Sequence, residues 1–230
     1  DMQFMDRTYK IEEATPDSFK GIDLVFASAG GSISKALASH AVKAGAVVVD
    51  NTSAFRMDPE VPLVIPEINP GDIAKHKGII ANPNCSTIIA LVPLWPIHKV
   101  AKIKRIIAAT YQAASGAGAK AMEELKLQTQ DFLAGRPVKK EVLPHQIAFN
   151  VFSHNSKIGA DGYNEEEVKM VKETKKIFHD DAIQITATCV RVPVLRAHSE
   201  ALYVETEKPL SPDEARELLA KAPGVKVIDD

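Results

Sequence analysis

The sequence predicts an α/β chain: part of a doubly wound parallel sheet, followed by an α+β part. Three observations carry this. Residues 21–50 alternate an apolar run, a Gly-rich turn, a helical stretch and a second apolar run, which is βαβ grammar. From about residue 84 the texture changes to longer β-rich runs set between helices. The chain has 230 residues, 45% of them apolar and 25% charged, enough to bury one large or two small cores.

Each element follows from its residues. Residues 21–28 (GIDLVFAS) suit a buried parallel strand. Ala29, Gly30 and Gly31 make a turn; Ser32 can cap a helix running to about Ala44, and Gly45 supplies its C′ position. Residues 46–50 (AVVVD) form the next strand. Residues 86–100 read as a helix bent or broken by Pro93 and Pro96. A β-rich run covers 102–112, a helix 117–133, and a strand 147–152. Asn164 is an N-cap for a helix over 165–178 whose first turn carries three acids. Strands follow at 183–194 and 200–205. Ser211, Pro212 and Glu214 open a last helix that Gly224 closes, and 225–228 starts another strand.

Composition excludes several functions. The net charge is −2, with no basic stripe and few aromatics, which argues against nucleic acid. The longest apolar stretches, such as 88–95, fall far short of the ~20 residues that cross a bilayer. No signal-peptide pattern opens the chain, and Cys85 and Cys189 make no disulfide framework, so a reduced, cytoplasmic location is expected. CxxC and HExxH are absent, and no metal site is expected.

The most informative hexapeptide is Asn82-Pro83-Asn84-Cys85-Ser86-Thr87: a turn ends in a cysteine and a helix starts at once. N–H groups at a helix N-terminus lower a thiol pKa and can bind a developing oxyanion, which is how a nucleophilic cysteine is placed. A lone cysteine is more often core, and Cys189, inside an alternating strand, reads that way. A thiolate needs an acid/base partner. His198 stands out at the end of the strand-like run 191–197; His145 and His154 lie in loop-like contexts, and spacing alone does not choose among the three. His40, His76, His98 and His179 look like solvated surface.

These residues, with Ser115-Gly116-Ala117-Gly118 and the run from Arg191 to Glu200 (RVPVLRAHSE), resemble aspartate-semialdehyde dehydrogenase. Residues 28–32, 49–53 and 62–69 agree, and the likeness runs from about Asp23 to the C-terminus. It implies a partial Rossmann-type domain over 1–84 and an α+β catalytic and dimerisation domain of the glyceraldehyde-3-phosphate-dehydrogenase-like type over 85–230. It implies that Cys85 is the nucleophile, His198 the acid/base and Gln112 the residue orienting the thioester. Arg191 would hold the substrate carboxylate and Glu166 its amino group, while Lys169, Arg56 and Asn84 bind phosphate. A bidentate guanidinium suits a carboxylate better than lysine does. Ala29, Gly30, Gly31, Ser115, Gly116 and Gly118 would line the NADP cleft. Each charged position has the bland reading of a surface charge, and Gln112 that of a solvated strand end.

The implied reaction is reversible reductive dephosphorylation of L-aspartyl 4-phosphate to L-aspartate 4-semialdehyde with NADPH, in lysine, threonine, methionine and diaminopimelate biosynthesis. The expected assembly is a homodimer or tetramer. The family's GxxGxxG turn does not occur here, so the chain reads as truncated at both ends, its NADP site only partly present, its sheet edge exposed and its own activity doubtful. The rivals are N-acetyl-gamma-glutamyl-phosphate reductase, which usually has glycine where Asn84 stands, and a non-catalytic dimerisation fragment. Glyceraldehyde-3-phosphate dehydrogenase is disfavoured because its serine before the cysteine is absent.

Overall fold

A computed structural model of the chain describes residues 1–229 and resolves them into two compact units. The first comprises residues 1–64 and 71–82, the second 65–70 and the described residues from 83 onward.

The first unit opens with a small antiparallel hairpin, β1 (Met2–Phe4) and β2 (Arg7–Tyr9), which the sequence reading did not anticipate. Its main sheet is wholly parallel, in the order β3 (Leu24–Ala27), β4 (Val47–Asp50), β5 (Ile79–Ala81). Helix α1 (Gly31–Lys43) crosses from β3 to β4, and Ala38 and Ala41 pack with Ala46, Val48 and Phe19. The N-cap lies two residues before the expected Ser32. Gly30 is the N-cap, with φ 108°, a conformation only glycine adopts readily, and no side chain caps the helix. Gly45, at φ 98°, follows the C-cap Ala44. Buried Asp50 ties the strand ends together: it accepts from Ser34 Oγ of α1 at 3.1 Å and from Thr52 N at 2.8 Å. Strand β3 is a sheet edge, where Phe26 is 78% exposed.

The second unit is built on a mixed sheet. Its long central strand β6 (Ile103–Gln112) lies parallel to β8 (Gln184–Arg191) and antiparallel to β9 (Ser199–Thr206); the short β7 (Phe152–Ser153) extends the β8 side. Helices α2 (Cys85–Ala101) and α4 (Glu165–Phe178) cover one face. Small side chains at the contact, Ala90, Ala108 and Ala187, let the helices sit close, with Met170 and Cys189 filling the seam. Helix α3 (Ala119–Leu133) forms a satellite core with Leu143, Ile147 and Ala148, and α5 (Pro212–Ala220) packs on α2.

Four expectations need correction. Helix α2 runs unbroken through Pro93 and Pro96, because packing against the sheet, α4 and α5 outweighs the lost N–H groups. Residues 147–151 are not a strand: the N–H groups of Ile147 and Ala148 go to Gln128 Oε1, at 2.8 and 3.2 Å, in place of a ladder. Residues 225–228 have no strand partner and stay irregular. His98 is buried, stacked on Trp95 and tilted against Phe178, rather than solvated.

Candidate active site

The second unit gathers most of the expected site residues. Asn84 caps α2 through its side-chain oxygen, which accepts from Ser86 N at 2.9 Å and Thr87 N at 3.2 Å. Cys85 is therefore the first helical residue, and it is exposed. The Asn84 backbone N–H donates to Glu173 at 2.6 Å, and its amide donates to Glu166 at 2.7 Å. Two carboxylates of α4 thus hold the cysteine turn.

Glu166, Met170, Glu173, Thr174 and Ile177 lie on the buried face of α4, beside Glu167, which accepts from Cys189 N, and Phe178. Glu166 accepts from Asn84 and, at 3.1 Å, from Gln112 Nε2 on one oxygen, and from Lys169 Nζ at 3.0 Å on the other. Burial alone would raise its pKa, but Lys169, His154 and these hydrogen bonds outweigh burial and hold it down to about 2. Gln112 is 1% exposed, far from the solvated edge of the bland reading, and its second donation goes to Ser86 Oγ at 3.0 Å.

The cysteine departs from one expectation. Although the residue as a whole is exposed, its thiol is partly desolvated, and its pKa is raised, first by that burial and then by the charge of Glu166; the Ser86 N–H at the helix start only offsets this in part. Burial first, and the neighbouring carboxylate after it, outweigh the helix N-terminus.

Arg191 ends β8, 3% exposed, and donates to Ala113 O at 3.0 Å, Asn155 Oδ1 at 3.2 Å and His154 Nε2 at 2.9 Å. His198 Nδ1 accepts from Ala113 N at 2.9 Å, so its neutral ring carries the proton on Nε2. Burial, then Arg191, lowers its pKa. Gly116 lies against both: a Cβ there would stand 2.8 Å from Arg191 Nη1 and 3.1 Å from the His198 ring. Gly118, at φ 94°, starts α3 with no side-chain cap, and Ser115 N is bound to Leu195 O.

Arg56, Ala29, Gly30 and Gly31 belong to the first unit. Arg56 is buried and donates to Asn82 O at 2.9 Å and Asn51 O at 3.0 Å. The sequence reading missed Glu173, Asn155, Ser156 and Glu200. The two α4 carboxylates on an apolar stripe were a readable signal; the others take their surroundings from distant strands.

A Rossmann-type parallel sheet, and a second unit centred on a cysteine at a helix start, define the class: an α/β protein with a thiol site among buried charges. The model of the semialdehyde dehydrogenase NAD binding domain matches residues 2–76, and that of the semialdehyde dehydrogenase dimerisation domain matches 94–230. An aspartate-semialdehyde dehydrogenase of Synechocystis sp. is 57% identical over 100% of this chain and 68% of its own length. One from Aquifex aeolicus is 54% identical, with the same two coverages. A crystal structure of aspartate semialdehyde dehydrogenase II from Vibrio cholerae, complexed with ASA, has a TM-score of 0.88 at 45% identity, covering 89% of this chain and 61% of that one. The chain belongs to the aspartate-semialdehyde dehydrogenase family and spans about two thirds of the length of these relatives.

Proposed function

We propose that the chain serves the reversible, NADP-dependent conversion of L-aspartyl 4-phosphate to L-aspartate 4-semialdehyde through a thioester on Cys85. The observation that carries this is the pairing of opposite buried charges in the cysteine's own unit. Glu166 is a carboxylate held ionised, and Arg191 is a guanidinium with donors to spare. Together they match the ammonium and carboxylate of a free amino acid. Glu166 still has one acceptor direction open beside Lys169. An N-acetylated substrate offers no charge to that acid, which disfavours the N-acetyl-gamma-glutamyl-phosphate reductase alternative.

In this reading Cys85 Sγ attacks the acyl carbon and the C–O bond to phosphate breaks. Lys169 and the last free N–H of the Asn84 amide receive the phosphate. A substrate ammonium at Glu166 neutralises one of the two causes that hold the thiol protonated, so binding favours the thiolate. Gln112 gives its N–H groups to Ser86 and Glu166, and so fixes both beside the cysteine. His198 offers its Nε2–H to the acyl oxygen as charge grows there. To take a proton instead, its ring must release Ala113.

The dinucleotide, when bound, supplies the hydride that reduces the thioester. The uncapped start of α1 at Gly30 leaves N–H groups free for an anion, which fits such a ligand. Roles for Arg56, Ala29, Gly30 and Gly31 rest on the resemblance. We assign 1–84 to cofactor binding and 85–230 to catalysis and assembly. The bare outer face of the second unit's sheet, with Ile107, Tyr111 and Tyr203 exposed, is the proposed homodimer surface; a tetramer would add a further contact. A cytoplasmic location is part of the same proposal.

The test is phosphorolysis: aspartate semialdehyde, phosphate and NADP are supplied, and NADPH absorbance is followed beside Cys85→Ser. Turnover abolished by the substitution is the expected result. If no turnover occurs, substrate that slows alkylation of Cys85 retains the site assignment and points to weak cofactor binding. A Cys85 indifferent to substrate would sink it.

A further inference from the structure

The residues after β7, His154-Asn155-Ser156, stand outside every role assigned above, yet they hold Arg191. The turn is anchored on β8 by His154 N donating to Cys189 O at 2.8 Å. Of the five guanidinium N–H groups, Nε goes to Asn155 Oδ1, one Nη1 hydrogen to Ala113 O and one Nη2 hydrogen to His154 Nε2. One N–H remains on each terminal nitrogen, the number that a bidentate carboxylate takes.

A guanidinium only donates, so His154 Nε2 is the acceptor and the neutral ring carries its proton on Nδ1. That nitrogen lies 3.0 Å from Ser156 Oγ, which also accepts from Glu166 N at 3.2 Å; the Ser156 N–H faces the same nitrogen at 3.2 Å, a neutral contact that the charged guanidinium on Nε2 outweighs in setting the tautomer. The turn therefore links the guanidinium to the start of α4. The charged and titratable groups acting on the ring are Glu166, Arg191, Lys169 and His198. Burial foremost, with the cations, lowers its pKa to about 4, against the pull of Glu166. A protonated ring would turn an N–H towards Arg191 and break the contact.

We infer that His154 is a positioning residue: its neutral ring, donating to Ser156 and accepting from Arg191, presets the guanidinium for the substrate carboxylate. This rests on the reading of Arg191 in the proposed function. The experiment is protection of Cys85 from iodoacetamide by aspartate semialdehyde, in the wild-type chain, His154→Leu and His154→Gln. Leucine has no acceptor, whereas the glutamine carbonyl can replace Nε2. Losing a hydrogen bond to a charged group should raise the protecting concentration about tenfold or more in His154→Leu. Glutamine should keep it within about threefold, and alkylation without substrate should stay within about twofold in all three. Equal protection of the leucine variant and wild type overturns the inference, as does failure of glutamine to rescue. A wild-type chain that substrate does not protect refutes the proposed function itself. Should the leucine variant not fold, ring nitrogen NMR of the wild type decides. A neutral, Nδ1-protonated His154 at pH 6 supports the inference, and a charged ring or the Nε2–H tautomer overturns it.

Discussion

Glu200 gives the sharpest quantitative test of how this site is built. It sits on β9 opposite Thr110, and both of its carboxylate oxygens are buried without a hydrogen-bond partner among the described residues. The Thr110 hydroxyl is likewise unpartnered. Burial raises the acid from 4.5 to about 8; the Ser86 hydroxyl is near enough to offset part of this but makes no well-formed hydrogen bond to the carboxylate. Between those two values the folded chain keeps a proton that the unfolded chain has lost. Stability is therefore highest below pH 4.5 as far as this group is concerned, and it falls until the folded acid ionises near pH 8. At ~1.4 kcal/mol per pH unit, the fall is roughly 3–5 kcal/mol, about half of it complete by pH 6. Glu200→Gln keeps the shape and removes the titration. The assay is urea unfolding from pH 5 to 8, followed by the fluorescence of Trp95, the chain's single tryptophan, on α2. His98, His154 and His198, each lowered first by burial, add slopes of their own, so the difference between variant and wild type is the quantity to read. The variant should gain on wild type by the stated amount across this range. A difference flat to within ~0.5 kcal/mol would refute the reasoning, because it would mean an ionised, solvated Glu200 in the folded chain.

Three further outcomes follow from the geometry. Gly116→Ala puts a methyl group 2.8 Å from Arg191 Nη1, so the guanidinium must shift. Semialdehyde protection of Cys85 should weaken about tenfold or more, at a stability cost of about 1–3 kcal/mol measured by urea unfolding. Glu166→Gln removes a charge that raises the Cys85 pKa, so the pH profile of alkylation should move to lower pH; an unmoved profile would remove Glu166 from that role. Tyr203→Asp places a charge on the bare sheet face, where Tyr203 is 57% exposed. Light scattering should show a shift from dimer to monomer with helix content unchanged, and an unshifted mass would place the interface elsewhere.

What the sequence reveals and what it hides divide along locality. The βαβ unit is legible because a strand's apolar run and a helix's period are written within thirty residues. The cysteine turn is legible because Asn84, Cys85 and the helix start are neighbours in sequence. The start of α1 is not, because polar Ser32 looks like a cap while the backbone of Gly30 makes the real one. Pro93 and Pro96 mislead in the same way, since the packing that keeps α2 whole comes from elsewhere in the chain. His154 and Glu200 are ordinary loop and strand residues until β8, β6 and α4 surround them.

The buried face of α4 shows why the hidden part matters. A helix that only packed would carry apolar residues at 166 and 173, where this one carries two glutamates among Met170, Thr174 and Ile177. Carboxylates on such a stripe are costly unless they are bonded, and both are, to the residue before the cysteine. One grips the Asn84 backbone and the other its side chain, and that side chain in turn caps the helix that begins at Cys85. The thiol's position is thus set from α4, some eighty residues along the chain. The same Glu166 that helps to place the cysteine also holds it protonated. Position is built into the fold, whereas ionisation is left to whatever cation meets Glu166.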